Sequence, residues 1–364
     1  MAWFGRFPLT YWKGSFMLTA KENMRQTIFG GSPDRFVNQY EAISMVFTPS
    51  LSTGGPRLVP GGEPVVNAWG VTNSWPEGVP GSFPVHTPEL IVIKDIERWQ
   101  DYVKAPSLDF PQEAWDMSKS MMDAVDGNLS YKAIFVAPGL FEQTHHLSEI
   151  KNALIYYALN PKEMHELLKY LTEYELELAE KVCANLHPDA MFHHDDWGSE
   201  ASTFMSPDMF ADFFVEPYKQ IYGYYHEHGC ELVIHHSDSY AATLVPYMIE
   251  MGIDVWQGVM QSNDTPALLE KYRGQITFMG DIDNKAVDFV GWTQEDARKA
   301  VHRACKDTNT RSFIPCITQG GAGSVYPGTY AALSEEIDAR SVELFGANLE
   351  EIQANRVPQT TLFG

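Results

Sequence analysis

The sequence predicts an α/β fold, a (β/α)8 TIM barrel, on the strength of three observations. Short apolar runs alternate with longer stretches of helical period. The runs are apolar on both faces and end in polar residues, which is typical of parallel strands covered by helices on both faces. No Gly-rich dinucleotide turn follows the first run, which disfavours a doubly wound sheet. The seven predicted strands are 36–47, 132–137, 189–196, 230–238, 253–259, 276–283 and 311–318, and an eighth is expected among irregular segments.

The chain is predicted to form one domain preceded by a short extension. Residues 1–16 are aromatic and show no helical or signal-peptide pattern, so the barrel is expected over residues 17–364. Thr19 followed by Glu22 predicts a capping box at the first helix. Further along, Asn160 and Pro161 predict the start of a long helix.

Residues 48–90 interrupt the alternation of strands and helices. This segment is rich in Gly and Pro and carries Trp69, Trp75 and Phe83. A long insertion in a compact domain predicts a lid or a binding loop. An excursion whose aromatic side chains pack back onto the barrel is an equal alternative.

Composition and charge narrow the class of protein. The 364 residues contain 26 Lys and Arg against 48 Asp and Glu, a net charge of −22. This balance argues against nucleic acid and anionic membranes as partners. No apolar run reaches the length of a membrane span. Four cysteines without a CxxC pair form no disulfide framework, which favours the cytoplasm.

Polar side chains gather where the predicted strands end, which is where barrel enzymes build their active sites. Side chains alternate along a strand, so His194 and Asp196 share one face while His193 and Asp195 share the other. Alternation alone does not determine which of these two faces points into the barrel mouth. The candidate residues at the strand ends are Glu142, His193, His194, Asp195, Asp196, His236, Asp238, Gln257, Asp281 and Cys316.

A His-x-Asp pair with a distant Cys offers an acceptable ligand set for zinc. His236, Asp238 and Cys316 would supply nitrogen, oxygen and sulfur donors and leave a position for substrate. A hydrogen-bonded polar cluster without metal is the alternative. Glu142 is a candidate for general-acid work, which requires a raised pKa.

Several of these segments together resemble the uroporphyrinogen decarboxylase superfamily. They are His193-His194-Asp195-Asp196-Trp197-Gly198, His236-Ser237-Asp238, Leu244-Val245-Pro246-Tyr247-Met248-Ile249 and Gly280-Asp281-Ile282-Asp283. The resemblance extends over about residues 17–345 and implies a TIM barrel. The superfamily contains true decarboxylases and corrinoid-dependent methyltransferases.

Two departures from the motifs of that superfamily bear on whether the chain resembles its decarboxylases or its methyltransferases. The chain lacks the Arg-rich N-terminal motif with which true decarboxylases bind a porphyrinogen, and its charge of −22 would repel a polycarboxylate. The methyltransferases bind zinc through His-x-Cys and a second Cys, to which His236-Ser237-Asp238 and Cys316 correspond here. Asp in place of the first Cys argues against a thiol acceptor and favours a more Lewis-acidic metal.

The chain looks most similar to the methyl-ether-cleaving methyltransferases of O-demethylases. That resemblance implies transfer of a methyl group from a small methoxylated aromatic substrate to Co(I) of a separate corrinoid protein. To neutralise the leaving oxygen, it implies either zinc on His236, Asp238 and Cys316 or a proton donated by one of the catalytic candidates Glu142, His194 and Asp196. The candidate substrate-binding residues are His193, Asp195, Gln257 and Asp281.

Other functions are compatible with the same residues. One is a decarboxylase or lyase acting on a smaller, less acidic substrate, and another is transfer of methyl from a corrinoid protein to an acceptor. A non-catalytic binding barrel is disfavoured, because histidine pairs at strand ends are costly to bury without purpose. Pairing of two chains into a homodimer stays open.

Overall fold

The computed structural model describes residues 17–52, 58–79, 81–306 and 308–357. The predicted extension 1–16 lies outside these residues. The strands are β1 (Ile43–Phe47), β2 (Val65–Val66), β3 (Thr72–Ser74), β4 (Phe83–Pro84), β5 (Tyr131–Val136), β6 (Ala190–His194), β7 (Leu232–His236), β8 (Val255–Val259), β9 (Thr277–Ile282) and β10 (Phe313–Ile317).

Seven of these strands form one curled parallel sheet in the order β1-β5-β6-β7-β8-β9-β10. Each overlaps one of the seven predicted strands, and every residue of β7 to β10 is buried. The prediction of a single-domain, TIM-barrel-like α/β fold is therefore confirmed. The expected eighth strand is not found among the described residues, where the parallel sheet has seven.

The predicted first strand is too long, because residues 36–42 do not pair as a strand. Gln39 instead lies beside β10, with a positive φ of 53°. Its backbone N–H donates to the Pro315 carbonyl over 3.3 Å, and its side-chain oxygen accepts from the Ile317 N–H over 3.4 Å. The Gln39 side-chain amide also donates to Ser334 Oγ over 2.8 Å. This fully buried side chain thus joins the segment that leads into β1, one edge strand, to β10, the other edge strand, and we call this contact the Gln39 seam.

Helices cover the outer face of the sheet. They are α1 (Ala20–Phe29), α2 (Pro49–Ser52), α3 (Gln112–Ala124), α4 (Leu140–Ser148), α5 (Ile150–Leu159), α6 (Pro161–Leu186), α7 (Pro207–Phe210), α8 (Glu216–Glu227), α9 (Val245–Met251), α10 (Thr265–Tyr272), α11 (Asn284–Val287), α12 (Gln294–Ala304), α13 (Thr329–Phe345) and α14 (Leu349–Ala354). A π-helical turn at Ala211–Val215 joins α7 to α8.

Local sequence signals set the starts of these helices. The Thr19 hydroxyl accepts from the Glu22 N–H at the start of α1, which is one half of the predicted capping box. The Glu22 side chain accepts instead from Gln26 Nε2 over 2.9 Å. Pro161 occupies the first turn of α6, where its missing N–H leaves no helical bond unmade. The apolar face of α6 then packs against the sheet through Met164, Leu167, Leu168, Leu171, Leu178 and Val182, all buried.

The insertion 48–90 contains a small antiparallel sheet formed by β2, β3 and β4. Trp69 packs on Tyr174 of α6, with ring centroids 4.9 Å apart. Trp75 donates from Nε1 to the Val79 carbonyl within the insertion, and Phe83 is exposed. One of the three aromatic side chains therefore packs back onto the barrel.

Two predictions about the chain's general character can be compared with the structure. All four cysteines are free and buried, in line with the prediction of no disulfide framework. Among the described residues, no helix combines the length and the apolar character that crossing a bilayer requires.

Candidate active site

His194 and His236 lie side by side at the carboxyl ends of β6 and β7. The two strands pair in parallel with His194 opposite His236, and the imidazole rings stack with centroids 4.4 Å apart. Because side chains alternate along a strand, Asp196 falls on the same side as His194. The sequence does not decide which of the two strand faces forms the site. In the structure it is the face that carries His194, Asp196 and His236.

The alternate side chains of the same strands point toward the helices. The Tyr222 hydroxyl of α8 hydrogen-bonds both His193 Nδ1 and His235 Nδ1, each over 2.8 Å. His193 Nε2 lies 3.3 Å from a Glu175 carboxylate oxygen of α6, and His193 is fully buried. The structure therefore places His193, predicted to bind substrate, between the sheet and its helices.

Glu142 holds His194 in place and charged. His194 Nδ1 donates to Glu142 Oε2 over 2.9 Å. Burial alone would lower the pKa of His194, but the negative charges of Glu142 and two aspartates outweigh burial and raise this pKa to about 10. Burial also raises the pKa of Glu142, against the opposing charge of His194. We therefore assign the shared proton to His194, surrounded by three carboxylates.

His236 has the opposite character. Its Nδ1 donates to Gln257 Oε1, and the Gln257 amide in turn donates to the Ile317 carbonyl over 3.3 Å. Burial and the neighbouring charge of His194 lower the pKa of His236 to about 4. At neutral pH this ring is uncharged, with Nδ1 protonated and Nε2 carrying a free lone pair. Gln257 acts here by orienting His236.

Asp196 and Asp238 complete the same cluster. The Asp238 N–H donates to Asp196 Oδ1 over 2.9 Å, and Asp238 Oδ2 lies 3.8 Å from His236 Nε2. Burial and the charge of Asp196 raise the pKa of Asp238 to about 8. We call Glu142, His194, Asp196, His236 and Asp238 the histidine–carboxylate centre.

Asp195 faces away from this centre and caps α4. Its carboxylate accepts from the backbone N–H groups of Phe141 (3.0 Å) and Glu142 (2.7 Å) and from Trp197 Nε1 (2.8 Å). Burial and the charge of Glu142 raise the pKa of Asp195 to about 7. Gly139 allows this close approach, since a Cβ there would lie 2.5 Å from the Asp195 Cβ. Asp195 thus positions the helix that carries Glu142.

Asp281 and Cys316 are not members of the centre. Asp281 bonds Thr265 Oγ1 and Arg303 Nη1, each over 3.0 Å, between β9 and its covering helices. Burial raises the pKa of Asp281 against the opposing charge of Arg303. Cys316 is fully buried beside Tyr40 and Gln257, and burial raises the pKa of its thiol well above the usual range.

Three side chains of the centre could hold a metal ion. His194, Asp196 and His236 each offer a ligand atom, and these atoms lie within 4.8 Å of one another. Tetrahedral ligands at about 2.1 Å from zinc are about 3.4 Å apart, so small side-chain movements would suffice. Glu142 on His194 and Gln257 on His236 are the partners that orient metal-ligating imidazoles. The donor set therefore fits zinc.

This set shares only His236 with the predicted ligands His236, Asp238 and Cys316. Among the described residues, the groups that could converge on an ion include neither Asp238 nor Cys316. Asp238 lies beside the set, whereas the buried Cys316 faces Tyr40 and Gln257. The role predicted for Cys316 stays a prediction that this geometry does not favour.

A cavity of about 770 Å³ lies next to the centre without including it. Its walls come from β1, the insertion, α6 and the segment after β5, and they include Gln143, the neighbour of Glu142 in the sequence. The lining is largely apolar, with Phe47, Trp69, Phe110, Tyr174 and Leu178 among its members. None of the centre's residues lines this cavity, so the two features are separate.

Sequence reasoning did not single out Tyr222, and it assigned no role to Gln319, a polar residue that follows the last predicted strand. Tyr222 joins His193 to His235 on the helix side of the strands, and the Gln319 side chain hydrogen-bonds Asp238 in the centre. Tyr218 and Tyr222 stand four residues apart on α8, a spacing that places both hydroxyls on its sheet-facing side. That spacing was available from the sequence, whereas the Gln319 contact depends on how the loop after β10 folds back.

The fold and the centre together define a class. A curled parallel sheet with its polar, strongly interacting side chains at the carboxyl ends of the strands has the arrangement of TIM-barrel enzymes. The chain belongs to the Uroporphyrinogen decarboxylase (URO-D) family, whose model matches residues 65–338. The predicted resemblance is thereby confirmed at the level of the family.

Comparison with solved structures agrees on the fold. The chain is similar to a methyltransferase from Methanosarcina mazei, with a TM-score of 0.62 over 89% of this chain and 99% of that chain. Sequence identity is 13%, so this likeness concerns the fold alone. No curated protein sequence matches the chain significantly.

Proposed function

We propose that the chain is the substrate-side methyltransferase of an O-demethylase, which moves a methyl group from a small methoxylated aromatic compound to Co(I) of a separate corrinoid protein. The observation that carries the proposal is the His194–Glu142 ion pair at the carboxyl end of β6. It keeps a proton available beside the site at neutral pH, where a poor leaving group needs one.

The reaction requires neutralisation of the departing oxygen. The methyl carbon bonds to Co(I), using the electron pair of the cobalt, while the methyl C–O bond breaks and leaves its pair on oxygen. That oxygen takes the proton from His194 Nε2 and departs as a neutral phenol or alcohol. Glu142 holds the His194 ring through Nδ1, so Nε2 stays directed at the leaving oxygen. Solvent then restores the proton.

The residues of the centre also suit a metal. A zinc ion held by His194, Asp196 and His236 would act as a Lewis acid toward the ether oxygen. Ligation needs His194 without its proton, so metal binding and proton donation by His194 exclude each other. The affinity for metal should therefore rise with pH toward the pKa of His194, about 10.

The lack of cationic partners supports a neutral substrate. Glu142, Asp196 and Asp238 lie in the centre and Asp195 lies beside it, in a chain of net charge −22. The ion pair with His194 offsets the charge of Glu142, and the raised pKa values of Asp195 and Asp238 reduce the charge that these two carry at neutral pH. Among the described residues, no Lys or Arg forms an ion pair with any of these four carboxylates. A polycarboxylate such as a porphyrinogen would be repelled, whereas a methoxyarene would not.

The decisive experiment incubates the protein with a reduced corrinoid protein and a panel of methoxyarenes and records methylcobalamin absorbance. The wild type should produce the signal, and His194→Gln should slow it about 100-fold or more. His187→Asn is the matched control, because His187 is an exposed residue in the left-handed conformation that ends α6, which Asn tolerates.

Three outcomes of this assay would contradict the proposed reaction. No signal with any methoxyarene, in protein that is folded and monodisperse, would refute the proposal. Loss of absorbance when the assay starts from methylated corrinoid protein and a phenol would reverse the direction of transfer. Release of CO₂ from carboxylated analogues would identify a decarboxylase.

A further inference from the structure

A second group of potential ligands lies on α4, next to the histidine–carboxylate centre. Glu142, His145 and His146 each offer a ligand atom, and these atoms lie within 4.8 Å of one another. The spacing explains the convergence, since residues three and four positions apart stand on the same face of a helix. Two imidazole nitrogens and one carboxylate oxygen suit a divalent transition metal.

The two imidazoles of this group and one oxygen of Glu142 have no hydrogen-bond partner among the described residues. The ring nitrogens of His145 and His146 form no hydrogen bond with another residue in the described part of the chain. One oxygen of Glu142 accepts from His194, and the other has no such partner. Both histidines are partly buried, with their rings 4.8 Å apart, so they lose water without gaining a protein partner.

The insertion closes this group from the outside. His86, in the segment after β4, donates from Nε2 to the His146 carbonyl over 3.0 Å. The adjacent Phe141 ring lies 5.2 Å from the His145 ring and provides an apolar wall. The three ligands are therefore half-buried between His86 of the insertion and the Phe141 ring, with part of each side chain still exposed to solvent.

We propose that Glu142, His145 and His146 form a second metal site, for Zn²⁺ or a divalent ion of similar preference. A Glu with a His three residues later is the helical ligand pair of di-metal carboxylate proteins, here extended by one further His. Glu142 ligates this ion and at the same time orients His194. The site does not depend on the proposed methyl transfer.

The test is a metal titration of chelator-treated protein with Zn²⁺, using bound metal per chain by mass spectrometry and Co²⁺ absorption as readouts. We expect the double variant His145→Ala with His146→Ala to lose one equivalent that the wild type binds. Its affinity for that equivalent should fall at least about 100-fold. His236→Ala should retain the same equivalent, and His187→Asn should bind as the wild type does.

Equal binding by the wild type and the double variant would overturn the proposal, as would a wild type that binds no metal. The single variants His145→Gln and His146→Gln keep the side-chain volume and guard against misfolding, which melting curves would report. Each should weaken the same equivalent. Metal binding that survives while methyl transfer fails separates this site from the proposed function.

Discussion

His194 and His236 stack with ring centroids 4.4 Å apart and planes inclined by 25°, yet they hold their protons in opposite ways. The pKa of His194 is raised to about 10 and that of His236 is lowered to about 4. Glu142 accepts from the first ring and the neutral Gln257 amide from the second. The charged ring of His194 is a proton donor, and the neutral ring of His236 beside it has a free lone pair on Nε2.

Replacing Glu142 by Gln should lower the pKa of His194, because the nearest negative charge is lost. Imidazole proton resonances followed against pH would measure the change. The raised pKa also stabilises the fold, fully below pH about 6.5, and this contribution fades as pH approaches 10. Glu142→Gln should therefore weaken the decrease in the free energy of unfolding between pH about 6.5 and about 10. Glu166→Gln, on an exposed pair with Lys162, should alter neither.

Replacing Gln257 by Leu should destabilise the protein, since it leaves His236 Nδ1 and the Ile317 carbonyl without a buried partner. We expect a loss of about 1–3 kcal/mol for each such group in urea unfolding. Gln257→Glu keeps an acceptor for His236 and should raise its pKa instead. The exposed Gln220→Leu on α8 should change stability by less than about 0.5 kcal/mol. A Gln257→Leu protein as stable as wild type would contradict this role.

Gly139→Ala should be costly although it adds only a methyl group. The new Cβ would meet the Asp195 Cβ at 2.5 Å and the Tyr218 hydroxyl at 2.9 Å, so the cap of α4 would have to move. We expect a loss of about 1–3 kcal/mol in thermal or urea unfolding. Gly223→Ala is the matched control, because nothing lies near its Cβ within α8. It should stabilise by about 1 kcal/mol.

Asp281→Asn should lower stability and leave substrate binding unchanged. Asp281 is buried against Thr265 and pairs with Arg303, whose side chain is 37% exposed, so the expected loss is about 1–3 kcal/mol. Glu295→Gln, in the exposed pair with Arg298, should cost less than about 1 kcal/mol. A raised Michaelis constant for the methyl donor with unchanged stability would instead indicate that Asp281 binds substrate.

The strands were predictable because each is a short, largely apolar run between helices, a pattern set by burial on both faces. The segment 36–42 continues the apolar run of β1 toward its start but contains Asn38, Gln39 and Glu41, and it packs against β10 through Gln39 without entering the sheet. Only the neighbouring strands decide between these two outcomes. The small sheet of β2 to β4 could not be predicted, because its strands have only two or three residues and are too short to show an alternating pattern.

The candidate site was predictable in its location and only partly in its members. Alternation separates His194 from His193, but the sequence does not say which faces the helices. Tyr222 decides it, because its hydroxyl on α8 serves His193 and His235 together. Likewise Asp195 is distinguished from Asp196 by the free N–H groups at the start of α4. These partners are distant in sequence.

The Gln39 seam has a consequence for synthesis of the chain. The hydrogen bond from Ile317 to Gln39 spans 278 residues, so the last strand must be made before the seam can form. During translation the edge of β1 remains without this neighbour while the intervening strands emerge in order. Exposed strand edges invite association with other chains. Nascent chains stalled before residue 311 should therefore bind chaperones, and release of the complete chain should end that binding.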